Sequence, residues 1–228
     1  MNRILLMLLC IGIWIALSYG CTRTKKDTTV GPDIPLTSPY PAENRDERPV
    51  IVAFGNSLTA GSGVEPDKNY PSKLQARIDA AGYSYRVVNS GVSGDTSSQG
   101  LNRIQSVVVL RPSIVIVELG ANDGLRGLPA EATRQNLAAI ISRLQSAGAT
   151  VILAGMQMPP NYGPQYTNAF RTLFKDLSKQ YQALLIPFFL EGVGGHAELN
   201  QEDGIHPTAE GYDIVVQNVW KVLQPLLR

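Results

Sequence analysis

From Val50 onward the chain moves between two hydrophobic rhythms. Continuous apolar runs of strand length occur at Val50–Phe54, Tyr85–Val88, Ile114–Leu119, Val151–Ala154 and Leu184–Phe188. They do not alternate apolar with polar, which predicts strands buried on both faces, as in a parallel sheet. Between them, Tyr70–Ala81, Gln99–Leu110, Ala130–Ala147 and Tyr166–Tyr181 carry a helical period, and Thr208–Leu227 ends the chain with another. Gly82 and Gly148 follow two of these segments, where a left-handed residue commonly closes a helix. Five strand-then-helix units predict an α/β fold, a five-stranded parallel sheet with helices on both faces.

The amino-terminal part lacks this rhythm. Ile4 to Leu17 is almost wholly apolar behind Arg3, shorter than the roughly 18 residues of a spanning helix. It leads into Ser18-Tyr-Gly-Cys21. The pattern predicts export, with residues 1–20 resembling a bacterial lipoprotein signal cleaved before a lipidated Cys21. An ordinary secretory signal and an uncleaved anchor are the alternatives. Thr22 to Arg48 is rich in Thr, Pro, Asp, Lys and Arg. Such a stretch buries too little surface to offset its ordering entropy. The expected organisation is a signal over 1–20, a flexible tether over 21–48 and a folded domain over 49–228. The protein is expected in the periplasm or anchored at a membrane, and as a monomer.

Composition narrows the function. A chain of 228 residues suits one domain with extensions. A formal net charge of +1 gives no case for a nucleic-acid partner. The two cysteines, Cys10 and Cys21, both precede the domain, leaving it no disulfide framework and no thiolate metal site.

Candidate chemistry sits at the strand ends. The run Ile51-Val-Ala-Phe stops at Gly55-Asn56-Ser57, placing a serine at the carboxyl end of a strand, where open α/β sheets hold their ligands. A serine hydroxyl needs a base to become a nucleophile. Only His196 and His206 are available. His196 lies in a Gly-rich loop without an evident partner and reads as a solvated histidine. His206 follows Asp203 by three residues and precedes Pro207, which favours the first turn of a helix. Asp203 can then orient the imidazole and stabilise its charged form. Taken singly, each of these motifs is as compatible with an ordinary turn; their conjunction points to a serine hydrolase. Asn89-Ser-Gly91-Val-Ser-Gly-Asp95 and Gly120-Ala-Asn122-Asp123 follow two further strands. They offer a glycine amide and a side-chain amide as oxyanion donors.

These blocks, Gly55-Asn-Ser57-Leu, the Gly91 loop, Gly120-Ala-Asn122-Asp and Asp203-Gly-Ile-His206-Pro, resemble in order those of the SGNH (GDSL-type) hydrolases. Gly120-Ala-Asn-Asp-Gly-Leu-Arg-Gly127, Pro160-Asn-Tyr-Gly163 and Pro187-Phe-Phe189 bring the likeness closest to the acyl-CoA thioesterase I/lysophospholipase L1/arylesterase branch. The resemblance implies a three-layer flavodoxin-like fold, no metal or organic cofactor, and a Ser57–His206–Asp203 triad. It implies an oxyanion hole from the Ser57 and Gly91 amides with the Asn122 side chain. An acyl pocket is expected beside the loops at 124–128 and 160–163, with Asn56, Asp123, Leu125, Leu128, Asn161 and Tyr162 as substrate-binding candidates. The family usually carries Asp where this chain has Asn56. The implied partner is a small acyl ester or thioester; a sugar O-deacetylase and a non-catalytic flavodoxin-like binding lipoprotein are the competing readings.

Overall fold

Strand β1 (Val50–Gly55) is buried along its whole length and is hydrogen-bonded on both sides. In the computed structural model, which describes residues 46–228, it lies within a five-stranded parallel sheet of order β2-β1-β3-β4-β5. The partners are β2 (Arg86–Gly91), β3 (Ile114–Glu118), β4 (Thr150–Ala154) and β5 (Leu184–Ile186). The expected signal segment, Cys21 and most of the tether lie outside the described residues. This strand order is the flavodoxin-like one, whose switch point falls between β1 and β3.

Two helical layers enclose the sheet. Helices α2 (Tyr70–Ala80) and α8 (Ala209–Leu223) pack against each other; α6 (Ala130–Ser146) packs against α3 (Ser97–Asn102) and α7 (Pro164–Tyr181). Their starts are written locally. The Asn69 side chain accepts from Ser72 N at the head of α2, and Thr208 accepts from Gly211 N at the head of α8. Thr96 and Gln99 form a reciprocal capping box on α3, which satisfies amides that a helix end leaves free. Helix α7 is held by Phe170, Leu173, Phe174 and Leu177, all buried at helical spacing. Burying each such side chain contributes about 1.5–3 kcal/mol.

The structure departs from the hydrophobic pattern in instructive places. Strand β2 begins after Tyr85 and runs on through the polar Asn89 and Ser90 to Gly91. It is an edge strand, so its residues are half-buried rather than covered on both faces. The single helix expected over 99–110 is two: α3, then α4 (Ile104–Val108), parted at Arg103. Arg103 turns inward there to bind three other segments. Strand β5 has only three residues, and the final helix closes at Leu223, followed by a 3₁₀ turn. Two short helices were not foreseen, α1 (Ser57–Ala60) and α5 (Ala121–Leu125), each starting one or two residues after a strand-end glycine.

The junction of β1, β2 and α1 leaves no space at Gly91. A side chain there would come within 2.7 Å of the Thr59 carbonyl carbon and the Ala60 Cα. Gly91→Ala is therefore expected to destabilise the protein by roughly 1–3 kcal/mol. The measurement is the urea midpoint, falling at unchanged denaturant slope.

Candidate active site

The end of β1 is shaped by what it lacks. At Gly55 an added Cβ would overlap the Thr59 hydroxyl and approach Glu118 Oε2 to 2.5 Å. Without it the chain turns sharply into α1. Asn56 stands at the N-cap, its Oδ1 accepting the Leu58 amide at 3.0 Å. Ser57, the first helical residue, is left half-buried with its hydroxyl toward the sheet edge.

The candidate base, His206, comes from the opposite end of the chain. An antiparallel bridge between Asn200 and Pro207, with Gln201 N donating to His206 O at 2.7 Å, closes the loop 200–207. Gln201 Nε2 also donates to Ser62 O at 2.9 Å, fastening this loop to the one after α1. Within it, Asp203 Oδ1 accepts the Ile205 and His206 amides, each at 3.0 Å. Asp203 Oδ2 lies 2.6 Å from His206 Nδ1, and His206 Nε2 lies 2.8 Å from Ser57 Oγ. Partial burial raises the Asp203 pKa, but the imidazole and these two amides favour the carboxylate more strongly and hold it at about 2. An ionised carboxylate on Nδ1 keeps the proton on that nitrogen and leaves Nε2 to accept from serine. His196 makes no hydrogen bond to these three residues; it is exposed, with Nδ1 3.5 Å from Glu198.

Asn122 lies in the first turn of α5, where Gly120 adopts a left-handed φ of 110° that lets the chain leave β3. Its Nδ2 donates to Asp95 O at 2.9 Å, which leaves one amide hydrogen for a ligand. Gly91 is not placed as expected. Its N–H donates to Asn89 Oδ1 at 2.9 Å, and the residue sits beneath α1. Because β2 continues to Gly91, the loop starts only at Val92, and Gly94 is the glycine that faces Ser57. Gly94, Ser57, Asn122 and His206 line one cleft of about 250 Å³. Among the described residues the Gly94 N–H has no acceptor within the protein.

Arg103 holds this edge together. Its Nε donates to Asp95 Oδ2 at 2.6 Å, Nη1 to Ser90 O at 3.0 Å and Nη2 to Gly55 O at 2.9 Å, while the guanidinium lies over the Phe54 ring. The sequence reading missed it, since an arginine in a helical segment ordinarily faces water. It missed Glu118 for the opposite reason, counting it within an apolar strand; a lone carboxylate in such a run was the available signal. Glu118 is fully buried and accepts from Asn56 N at 3.2 Å, Asn56 Nδ2 at 2.9 Å and Thr59 Oγ1 at 2.8 Å. Burial outweighs these bonds and pushes its pKa up to about 8.

The substrate-binding candidates divide. Leu125 borders the cleft and, with Ala121 and Ile205, also an adjoining cavity of about 360 Å³ whose other walls include Met156, Met158 and Phe188. Pro160 lines that cavity, but its neighbours Asn161 and Tyr162 do not. Tyr162 instead donates to Leu125 O at 2.9 Å and stacks on Tyr166, so it supports the pocket wall from outside. Leu128 is exposed beyond it. Asp123 is buried, its carboxylate taken by Ser97 N at 2.8 Å, the Ser97 hydroxyl and Thr133 Oγ1 at 3.2 Å. It joins α5 to α3 and α6 and has no free oxygen for a substrate. Asn56 borders the cleft but spends its amide on Glu118 and Leu58.

The raised Glu118 pKa has a signed consequence. The folded protein keeps a proton on this residue from its ordinary value of 4.5 up to about 8, whereas the unfolded chain does not. The associated stability is complete below about pH 4.5 and is lost as pH rises through about 8. Denaturation midpoints across pH 5–9 should fall with pH by this amount, and the Glu118→Gln variant should lack that component of the slope.

With this geometry in place, comparison with known proteins gives a consistent result. The model of the GDSL-like lipase/acylhydrolase family matches residues 53–214. The chain is 43% identical to the esterase TesA of Pseudomonas aeruginosa over 78% of its own length and 89% of that protein. It is 36% identical to the thioesterase 1/protease 1/lysophospholipase L1 of Escherichia coli K12, over 78% of this chain and 84% of the other. A crystal structure of TesA superposes with a TM-score of 0.76 at 42% identity, covering 78% of this chain and 99% of that one.

Proposed function

The chain belongs to the GDSL-like lipase/acylhydrolase family and is an ester hydrolase of it, and we propose that it cleaves carboxylic esters and thioesters through an acyl-enzyme on Ser57. The observation that carries the reading is the unbroken hydrogen-bonded line from Ser57 Oγ through the His206 ring to Asp203, at 2.8 and 2.6 Å. His206 Nε2 takes the hydroxyl proton as Oγ attacks the acyl carbonyl. The carbonyl oxygen gains the charge, and the imidazolium is stabilised by Asp203. The alcohol or thiol departs with the proton from Nε2. A water activated by the same nitrogen then attacks the acyl carbonyl, releasing the acid and restoring Ser57. The developing oxyanion is met by the Ser57 and Gly94 N–H groups and Asn122 Nδ2, with Gly94 taking the place expected of Gly91.

The apolar cavity next to the cleft gives the acyl group its place. Its walls of Leu125, Met156, Met158, Phe188 and Ile205 suit a flexible hydrocarbon chain, since thioethers adapt their packing to what enters. A cavity of about 360 Å³ exceeds what an acetyl group fills, so an acyl hydrolase is favoured over an O-deacetylase.

Ser57→Ala is expected to abolish hydrolysis of short aryl esters and labelling by a fluorophosphonate, with the fold retained. Labelling elsewhere while Ser57 stays unmodified refutes the assignment. Asp203→Asn should reduce kcat by up to about 10⁴. Asn122→Ala, removing one oxyanion donor, should reduce kcat by roughly 10²–10³ with little change in KM.

The same reading extends to location. Cys21 follows an apolar run and small residues, which supports export and lipidation of its thiol. Residues 22–48 then tether a monomeric domain near a bilayer, where amphipathic acyl esters are concentrated, and two acyl chains give the stable anchoring that one does not. Mass spectrometry of the mature amino terminus tests this directly. A diacylated Cys21 is expected, with Cys21→Ser blocking processing or releasing the protein; an unmodified terminus elsewhere refutes it.

A further inference from the structure

Beneath the nucleophile lies a buried carboxyl for which the hydrolytic steps give no role. Glu118 ends β3 directly opposite Gly55 in the β1–β3 register, and the missing Gly55 side chain is the space its carboxyl occupies. It is fully buried, yet among the described residues no cation is paired with it. What it meets is the residue before the nucleophile: Glu118 Oε1 takes Asn56 Nδ2 at 2.9 Å, and Oε2 takes the Asn56 amide at 3.2 Å and Thr59 Oγ1 at 2.8 Å.

A carboxamide has one donating and one accepting end, and the two ends of Asn56 have different tasks. With Nδ2 committed to Glu118, Oδ1 must face the other way, onto Leu58 N at 3.0 Å and toward Ser57 Oγ at 3.4 Å. Turning the amide over would set an NH₂ group against the Leu58 N–H and remove the cap of α1. The acceptor at position 118 therefore selects the orientation of Asn56, and that orientation fixes the turn carrying Ser57.

We propose that Glu118 is a positioning residue for the Ser57 nucleophile, acting through the Asn56 carboxamide, and that Asn56 and Glu118 form a matched donor–acceptor pair. The inference rests on the serine-esterase reading above, while the pairing itself can be measured without any activity. Glu118 Oε1 accepts from Asn56 whether or not the carboxyl is protonated. When neutral, its proton lies on Oε2, where the Thr59 hydroxyl can accept it. The other titratable groups facing it are Tyr70 from α2 and Tyr212 from α8, both kept neutral by burial and by the proximity of Glu118. Arg103 supplies the cation on this edge, through the Gly55 carbonyl.

The pairing predicts its own rescue. In Glu118→Gln the new amide cannot accept at all three contacts. It either sets NH₂ against Asn56 Nδ2, which drives the Asn56 amide to turn, or sets it against the Asn56 backbone N–H. When Asn56→Asp is combined with Glu118→Gln, the roles exchange completely. The introduced glutamine's NH₂ donates to the new carboxylate, its oxygen accepts from Thr59 and the position-56 amide, and the second carboxylate oxygen still caps Leu58 N. Asn56→Asp alone puts two carboxyls against each other, so that they share a proton.

The experiment is this double-mutant cycle, read in kcat and KM on a short aryl ester from pH 5 to 9.5 and, in parallel, in urea midpoints. Glu118→Gln should lose on the order of tenfold in kcat, with KM changed less than about twofold, as misplacement of a nucleophile requires. It should also lack the pH dependence expected of a Glu118 carboxyl whose pKa burial pushes up to about 8, and Asn56→Asp should shift that dependence. The double variant should recover most of the lost kcat and of the lost urea midpoint. An unchanged kcat and pH profile in Glu118→Gln overturns the proposal, as does a double variant no better than Glu118→Gln. Should Glu118→Gln fail to fold, the double variant decides alone: folded and active supports the pairing, unfolded overturns it. A wild-type protein without esterase activity would instead refute the functional reading, leaving the urea cycle to judge the pair.

Discussion

Everything at the catalytic edge depends on β1 being hydrogen-bonded on both sides. Its last residue, Gly55, stands opposite Gly91 of β2 and Glu118 of β3. Parallel pairing makes all three strands end at one level, so the loops that follow open on the same edge. Close approach at that level is possible only because Gly55 and Gly91 carry no side chains. In the resulting space the protein places a helix start with Ser57 at its head, and beneath it a fully buried carboxyl, Glu118.

Around that junction, polar residues act as fasteners between segments far apart in sequence. Arg103 joins the ends of β1 and β2 to the loop carrying Asp95. Asp95 in turn holds Asn122 through its carbonyl, and Asp123 ties the start of α5 to α3 and α6. Gln201 joins the His206 loop to the loop after α1. Charged or amide groups buried in this way contribute little net stability. They do fix the directions in which Ser57, His206 and Asn122 project, and the proposed mechanism requires such directions.

The Asn at position 56 takes its meaning from Glu118. Two buried carboxyls at that separation would have to share a proton, because like charges in a dry site oppose each other's ionisation. An amide facing one carboxyl meets the same geometric requirement without it. An Asn here thus meets Glu118 without a second carboxyl beside Ser57 and leaves the Ser57–His206–Asp203 hydrogen bonds in place.

The linear chain by itself determined the alternation of buried strands and amphipathic helices, hence a parallel α/β sheet, and the local motifs Gly55-Asn-Ser57, Asn122 and Asp203-Gly-Ile-His206. Those signals are carried by residues close together in sequence, where hydrophobic period and turn chemistry act directly. The tertiary structure alone decided which glycine lines the cleft at Ser57, because that depends on β2 extending through Asn89 and Ser90 by pairing with β1. It decided that Asp123 is a strut rather than a ligand, and that Tyr162 supports the pocket from behind. It also turned Arg103 inward and gave Glu118 its partner 62 positions away. Each of these is a long-range hydrogen bond or a packing limit, set by what the sheet brings opposite a residue rather than by the residues beside it.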